Sequence, residues 1–271
     1  MSESYSLQDL LYLMARLREP GFGCPWDLQQ DFRSITPSTI EEAYEVVDTI
    51  EKGDYLHLKE ELGDLLFQVV FYSQLAREDG IWNFTDVVHT LTEKLVRRHP
   101  HVFPGGDLHS RRESGEQPNE AEIKQSWEAI KSSERAEKGK HRVLDDVPVG
   151  LPAATRAEKL QKRAAKVGFD WPSVEGVIDK INEEMQELNE ALAAGNADSV
   201  EDEMGDLLFA IVNLARHLKI QPEQALRRAN AKFERRFGLV EDTLISAGSS
   251  VEEASLEQME EAWQNAKNHE N

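Results

Sequence analysis

The chain has 271 residues, 31 of them basic and 51 acidic, for a net charge of −20 with neutral histidines. At about 150 residues per domain this length suggests roughly two domains. So acidic a chain excludes a general DNA or RNA binder, which neutralises phosphates with a basic surface, though a bound divalent cation could still recruit a small anionic ligand. Hydrophobic residues at 39% and charged residues at 30% exclude wholesale disorder.

In chain order, Met1 to Tyr5 has no basic start and Asp9 interrupts the apolar stretch that follows, so no signal peptide is read. Leu7, Leu10, Leu11, Met14 and Leu17 recur at helical spacing. Cys24 is the single cysteine, which excludes an internal disulfide and a cysteine zinc site and favours a reducing compartment. A helix carrying Glu41 to Glu45 is expected to stop at Gly53, with Asp54 capping the next helix, which carries Glu61 to Phe67. Residues 99–119, with His99-Pro100-His101, Pro104-Gly105-Gly106 and Ser114 to Pro118, read as a long polar loop. The charged run from Lys131 to Arg142 reads as a solvated helix end or linker. Asp145 to Pro152 holds two prolines and a glycine, which places the boundary between domains 1–145 and 146–271. Val177, Ile178, Ile181, Met185 and Leu188 mark another helix, Gly195 a break, and Asp198 or Ser199 a cap. Strand-like alternation is scarce, so the expected fold class is all-α. The run Leu207 to Val212 is far too short to span a bilayer. The expected location is the cytoplasm, with no membrane partner.

An internal repeat organises the chain. Glu41-Glu42-Ala43-Tyr44-Glu45 aligns with Glu183-Glu184-Met185-Gln186-Glu187. Glu61-Leu62-Gly63-Asp64-Leu65-Leu66-Phe67 aligns with Glu203-Met204-Gly205-Asp206-Leu207-Leu208-Phe209. Both blocks, and the pair Gly53 and Gly195, share one offset (183 − 41 = 203 − 61 = 142). The match loosens downstream, where Lys94, Arg97 and Arg98 align with Lys232, Arg235 and Arg236, and Trp127 and Lys131 with Trp263 and Lys267.

Glu42 and Glu45 share a helix face, as do Glu61 and Asp64 on the next helix. Helices joined by so short a turn pack antiparallel, so the two acidic faces converge. Glu184, Glu187, Glu203 and Asp206 repeat the pattern. Gathered carboxylates repel one another and call for a counter-cation. Hard oxygen donors favour Mg²⁺ or Mn²⁺, which in turn hold substrate phosphates. One Glu-x-x-Glu pair is ordinarily a solvated face; two pairs on adjacent helices, duplicated without a gap, are not. Gly63 and Gly205 sit inside these helices at a cost of about 1 kcal/mol against alanine, which a close helix or ligand would explain. No histidine forms a Glu-x-x-His pair of the di-iron type, and no Walker motif is present.

These blocks resemble the MazG nucleoside triphosphate pyrophosphohydrolases over nearly the whole chain. Cys24-Pro25-Trp26-Asp27 resembles the N-terminal hallmark of the two-domain members, and Lys162 to Trp171 the entry to their second domain. The four-carboxylate pattern by itself also resembles related all-α pyrophosphatases, including dimeric dUTPases. The resemblance implies tandem four-helix domains, a homodimer, and Mg²⁺-dependent conversion of NTP and water to NMP and pyrophosphate, for clearance of excess or non-standard NTPs. It implies metal ligands Glu42, Glu45, Glu61 and Asp64 in one site, and Glu184, Glu187, Glu203 and Asp206 in the other. Water activation falls to a carboxylate of these sets, with no single residue assigned; Glu41 and Glu183 lie about 100° around the helix from them.

Substrate contacts are expected from Lys232 and Arg236, four apart on one helix, and from Trp263 and Lys267, with Lys94 and Arg98 as first-copy counterparts. Trp263 reads equally as a core indole. Lys159, Lys162, Arg163 and Lys166 precede the second site, where the first has only Arg16, Arg18 and Arg33, so the second half is favoured for catalysis. The alternative is a helical regulatory or interaction protein whose acidic clefts bind a metal or a partner without turnover.

Overall fold

In the computed structural model the described residues are 4–112, 119–137 and 142–269. Met1 to Glu3, the segment Glu113 to Pro118 of the expected loop, and Lys138 to His141 of the charged run lie outside them. The described residues form eleven α-helices and no strand. The chain divides into two compact units, Met1–Ser133 and Glu134–Asn271.

The first unit is built on a hairpin of α3 (Thr36–Lys52) and α4 (Leu58–Glu78), with α1 (Leu7–Leu17) and α5 (Phe84–Arg98) packed against α4. The short α2 (Pro25–Gln29) lies between α1 and α3, and α6 (Glu120–Glu137) follows the irregular segment after α5. Ser6 and Asp9 form a reciprocal capping box on α1, and Asn83 and Asp86 do so on α5, satisfying N–H groups that each helix start leaves open. Met14, Ile35, Val70, Phe71 and Leu75 make the core. Beneath it the buried Arg18 donates to the backbone oxygens of Asp27 and Gln30 and pairs with Glu78 at 2.8 Å.

The second unit repeats the hairpin with α8 (Val174–Ala194) and α9 (Ala197–His217). α7 (Ala153–Lys166) packs on α9, α10 (Pro222–Ser246) touches α7 and α9, and α11 (Leu256–His269) returns along α10. Val240, Leu244 and Ala262 form the α10–α11 core.

Both hairpins turn at the glycines the repeat singles out. Gly53 has φ 72° and Gly195 φ 71°, a left-handed conformation that closes the helix end without a Cβ clash. The caps differ from the sequence reading. α9 is capped by Asn196, whose side chain accepts from the N–H groups of Asp198 and Ser199, because the helix starts two residues after Gly195. Asp54 does not cap α4; its carboxylate accepts from His57 N–H at 3.1 Å and braces the turn before the helix. The α8 stripe is also split: Val177 and Leu188 are buried, while Ile178 and Met185 face outward.

Candidate active site

Each unit gathers one acidic cluster by the same local construction. α3 carries Glu42 and Glu45 one turn apart, α4 carries Glu61 and Asp64, and the turn at Gly53 folds the two faces together. One carboxylate oxygen from each of Glu42, Glu45 and Glu61 lies within 4.8 Å of the others, and Glu184, Glu187 and Glu203 meet the same condition. Asp64 and Asp206 stand outside these triads. Both are exposed rather than tucked against a buried helix edge. Asp64 is still close enough for its charge to act on Glu42, and Asp206 lines the same cavity as Glu184. A Cβ on Gly63 or Gly205 would meet open space, so no neighbour within the protomer accounts for either glycine.

Proximity of like charges shows in the protonation equilibria. Burial, then the charges of Asp64, Glu45, Glu61 and Glu41, push the Glu42 carboxyl above its ordinary range. Burial also pushes Glu187 upward; Lys180 opposes that shift, and Glu184, Glu203 and Glu183 add to it. A triad of carboxylate oxygens, with no sulfur or nitrogen donor in it, suits a hard divalent cation.

Sequence reasoning missed Lys180. It sits one turn before Glu184, pairs with it at 2.8 Å and with Glu183 at 2.7 Å, and those hydrogen bonds hold its ammonium above the usual range. The four-residue spacing to Glu184 was the available signal. The register-equivalent position in the first unit is Ser38 (180 − 142); there His57 Nε2 lies 3.4 Å from Glu61.

The two clusters have different surroundings. A cavity of about 560 Å³ adjoins the second one, lined by Glu184, Asp206 and Lys180 together with Phe169, Trp171 and Phe209. The first unit has a cavity of about 580 Å³ between α1, α4 and α5, and none of its four carboxylates lines it. Asn213, which lines the second-unit cavity, corresponds to Phe71 in the first (213 − 142). Phe71 is 1% exposed and packed into the core with Met14 and Ile35.

A profile of the MazG nucleotide pyrophosphohydrolase domain matches residues 30–103 and again 173–238. The nucleoside triphosphate pyrophosphohydrolase of Escherichia coli K12 is 49% identical over 96% of this chain and 97% of its own length. The chain belongs to the MazG family. The nucleoside triphosphate pyrophosphohydrolase/pyrophosphatase MazG of Thermotoga maritima is 44% identical over 96% of this chain and 95% of its own. A nucleoside triphosphate pyrophosphohydrolase of Mycobacterium tuberculosis is 38% identical over 60% of this chain and 46% of its own.

All eight carboxylates of the repeated acidic blocks fall within the matched segments, as do Lys94, Arg98, Lys232 and Arg236; Trp263 and Lys267 lie beyond them. Lys94 and Arg98 sit one turn apart near the end of α5, and Lys232 and Arg236 one turn apart on α10. Trp263, on α11, packs on the Val240 and Leu244 core and meets the Phe233 ring at 5.3 Å, one residue from Lys232. In the first unit the Lys131 ammonium lies 5.1 Å from the centre of the Trp127 ring. Among the described residues no helix is long and apolar enough to cross a membrane.

Proposed function

We propose that this MazG protein hydrolyses nucleoside triphosphates to the monophosphate and pyrophosphate, and that turnover occurs in the second unit. The observation that carries the reading is the cavity beside Glu184 and Asp206, which gives a nucleotide room next to the acidic cluster. The first unit keeps its carboxylates, but Phe71 fills the place of Asn213. That favours a cation-binding or structural role for the first unit and leaves room there for the regulatory reading.

Glu184, Glu187, Glu203 and Asp206 would hold Mg²⁺, with Mn²⁺ as a substitute. A bound cation of this kind neutralises phosphate charge and lowers the pKa of a ligated water. Lys232 and Arg236 would receive the departing pyrophosphate, with Trp263 and Lys267 on the neighbouring helix, and a cluster carboxylate would accept the proton of the attacking water. Lys180, already paired with Glu184, supplies a further cation at the cavity wall.

The protein is further proposed to act as a homodimer in the cytoplasm, clearing excess or non-standard triphosphates. Met204, Leu208 and Ile211 form an exposed apolar stripe on α9, and Leu62, Leu66 and Val69 repeat it at the same register on α4. Stripes of this kind favour burial against another chain. Incubation with each NTP and Mg²⁺ followed by separation of products tests the reaction. NMP and pyrophosphate support it; NDP and phosphate, or no metal-dependent turnover, overturn it.

A further inference from the structure

The second-unit cavity carries three features that metal and phosphate chemistry leave unexplained. The first concerns Trp171, an aromatic wall of the cavity that is held in place from two sides. A Cβ on Gly176 would come within 2.6 Å of the Trp171 ring, a contact real side chains do not make, so the indole rests where only glycine allows it. The preceding residue, Asp170, is gripped by both ends of the Arg216 guanidinium, with Nη1 donating to Oδ2 at 2.9 Å. His217 Nε2 lies 3.0 Å from the same carboxylate, and Asp170 Oδ1 accepts from the backbone N–H of Trp171 at 3.0 Å. Arg216 is itself oriented by Asn213, whose Oδ1 accepts from its Nε at 2.9 Å.

The second feature is Gln161, which lines the cavity and is 8% exposed. Its Nε2 donates to the backbone oxygen of Phe209 at 2.8 Å. A carbonyl only accepts, so that contact fixes which end of the amide is nitrogen and leaves Oε1 as a pure acceptor. Oε1 is buried and has no partner. A buried acceptor without a donor is costly, and such groups commonly mark a place where a ligand completes the bond. The third feature is the company these groups keep: Phe169 and Phe209 line the same cavity as Glu184 and Asp206.

We infer that this cavity receives the nucleobase of the substrate, with Trp171 as its stacking platform and Gln161 Oε1 as the acceptor for an N–H on the base edge. The inference rests on the proposed triphosphate hydrolysis and adds the base subsite to it. Stacking on an indole is tolerant of sequence because every base has a π-face. Each of the common bases also carries at least one edge N–H, as exocyclic amine or ring imide, so this pair of contacts selects for a base without choosing among bases. Gly176 and the Asp170–Arg216 pair are positioning residues that act through Trp171.

The test compares a nucleoside triphosphate with ribose 5-triphosphate, which lacks only the base, in the full-length protein with Mg²⁺. Wild type is expected to favour the nucleotide in kcat/KM. Trp171→Ala should lose about 10- to 100-fold of kcat/KM on the nucleotide and keep its rate on ribose 5-triphosphate. Trp171→Phe should recover most of the loss, and Gly176→Ala should reproduce a milder version, chiefly in KM. Gln161→Leu should lower the preference for the nucleotide without changing the baseless rate. An unchanged nucleotide-to-baseless ratio in Trp171→Ala and Gln161→Leu would overturn the base subsite while leaving pyrophosphohydrolysis standing. Absence of turnover on both substrates in wild type would instead overturn the hydrolysis itself. A Trp171→Ala protein that loses both rates equally, with an unchanged melting temperature, would also overturn the subsite.

Discussion

Replacing Glu42 by Gln should raise the metal-free stability of the first unit and diminish the stabilisation that a divalent cation adds. Oxygens of Glu42, Glu45 and Glu61 lie within 4.8 Å of one another. At that separation two unit charges repel by about 1 kcal/mol in water and about 3.5 kcal/mol at an effective dielectric near 20. Glu42 is half-buried, so its two cluster partners together cost on the order of 2 kcal/mol at moderate salt. Without metal at pH 7, Glu42→Gln removes that repulsion and should raise the melting temperature of the first unit by roughly 5–10 °C. With the cation at about 100 times its Kd, wild type gains about 2.7 kcal/mol, and the variant, short of one anionic donor, should gain clearly less. The pH dependence follows the same logic. The native state holds the Glu42 proton more tightly than the unfolded chain, so metal-free stability rises as pH falls through the raised Glu42 pKa toward the ordinary 4.5. The advantage of the variant should therefore shrink over that window. Calorimetry with chelator and with Mg²⁺ reads all three effects. A metal-free variant that melts at or below wild type at pH 7 would refute the repulsion argument. An undiminished gain from metal would refute Glu42 as a ligand.

Other expectations follow from particular contacts. Arg216 hydrogen bonds hold the Asp170 carboxyl below its ordinary range against the effect of burial, with His217 adding to the shift. The stability this supplies is present above the unfolded value of 3.8 and is lost as pH falls through the lower native pKa, so carboxyl NMR should show Asp170 titrating below that value. Arg18→Ala takes the guanidinium away from the partly buried Glu78 carboxylate, which keeps only Gln74 Nε2 as a donor, and from the backbone oxygens of Asp27 and Gln30, and should destabilise the first unit by about 3 kcal/mol in urea titration. Gly205→Ala fills open space in the protomer and should raise metal-free stability by up to about 1 kcal/mol; lost activity in that folded variant would mean that a ligand or a second chain approaches the helix there. Leu208→Asp places a charge in the exposed α9 stripe and should shift the protein toward monomer in analytical ultracentrifugation.

Periodicity and the repeat made the hairpins, the glycine breaks and both acidic clusters readable from sequence, because each depends on spacing along one helix or on a turn of a few residues. What stayed hidden depends on contacts distant in sequence or on small differences within a register. Asn196 and not Asp198 caps α9 because the helix begins two residues after its glycine, a shift that several cap-competent residues in a row conceal. Outward-facing Ile178 and Met185 look like core positions on a helical wheel, and only the packing of α8 against α9 separates them from Val177 and Leu188. The seat of Trp171 on Gly176 and the grip of Arg216 on Asp170 involve pairs that no periodic pattern links. The halves likewise differ at non-acidic positions, Phe71 against Asn213 and Ser38 against Lys180, and the proposed division of function rests on these.

The central claim is that the second acidic cluster performs the reaction. Product analysis of an NTP with Mg²⁺, run on wild type, Glu184→Gln and Glu42→Gln, tests it most directly. The account predicts NMP and pyrophosphate from wild type and Glu42→Gln, and loss of both products in Glu184→Gln with the fold intact. Full activity in Glu184→Gln, or activity abolished only by Glu42→Gln, would contradict it.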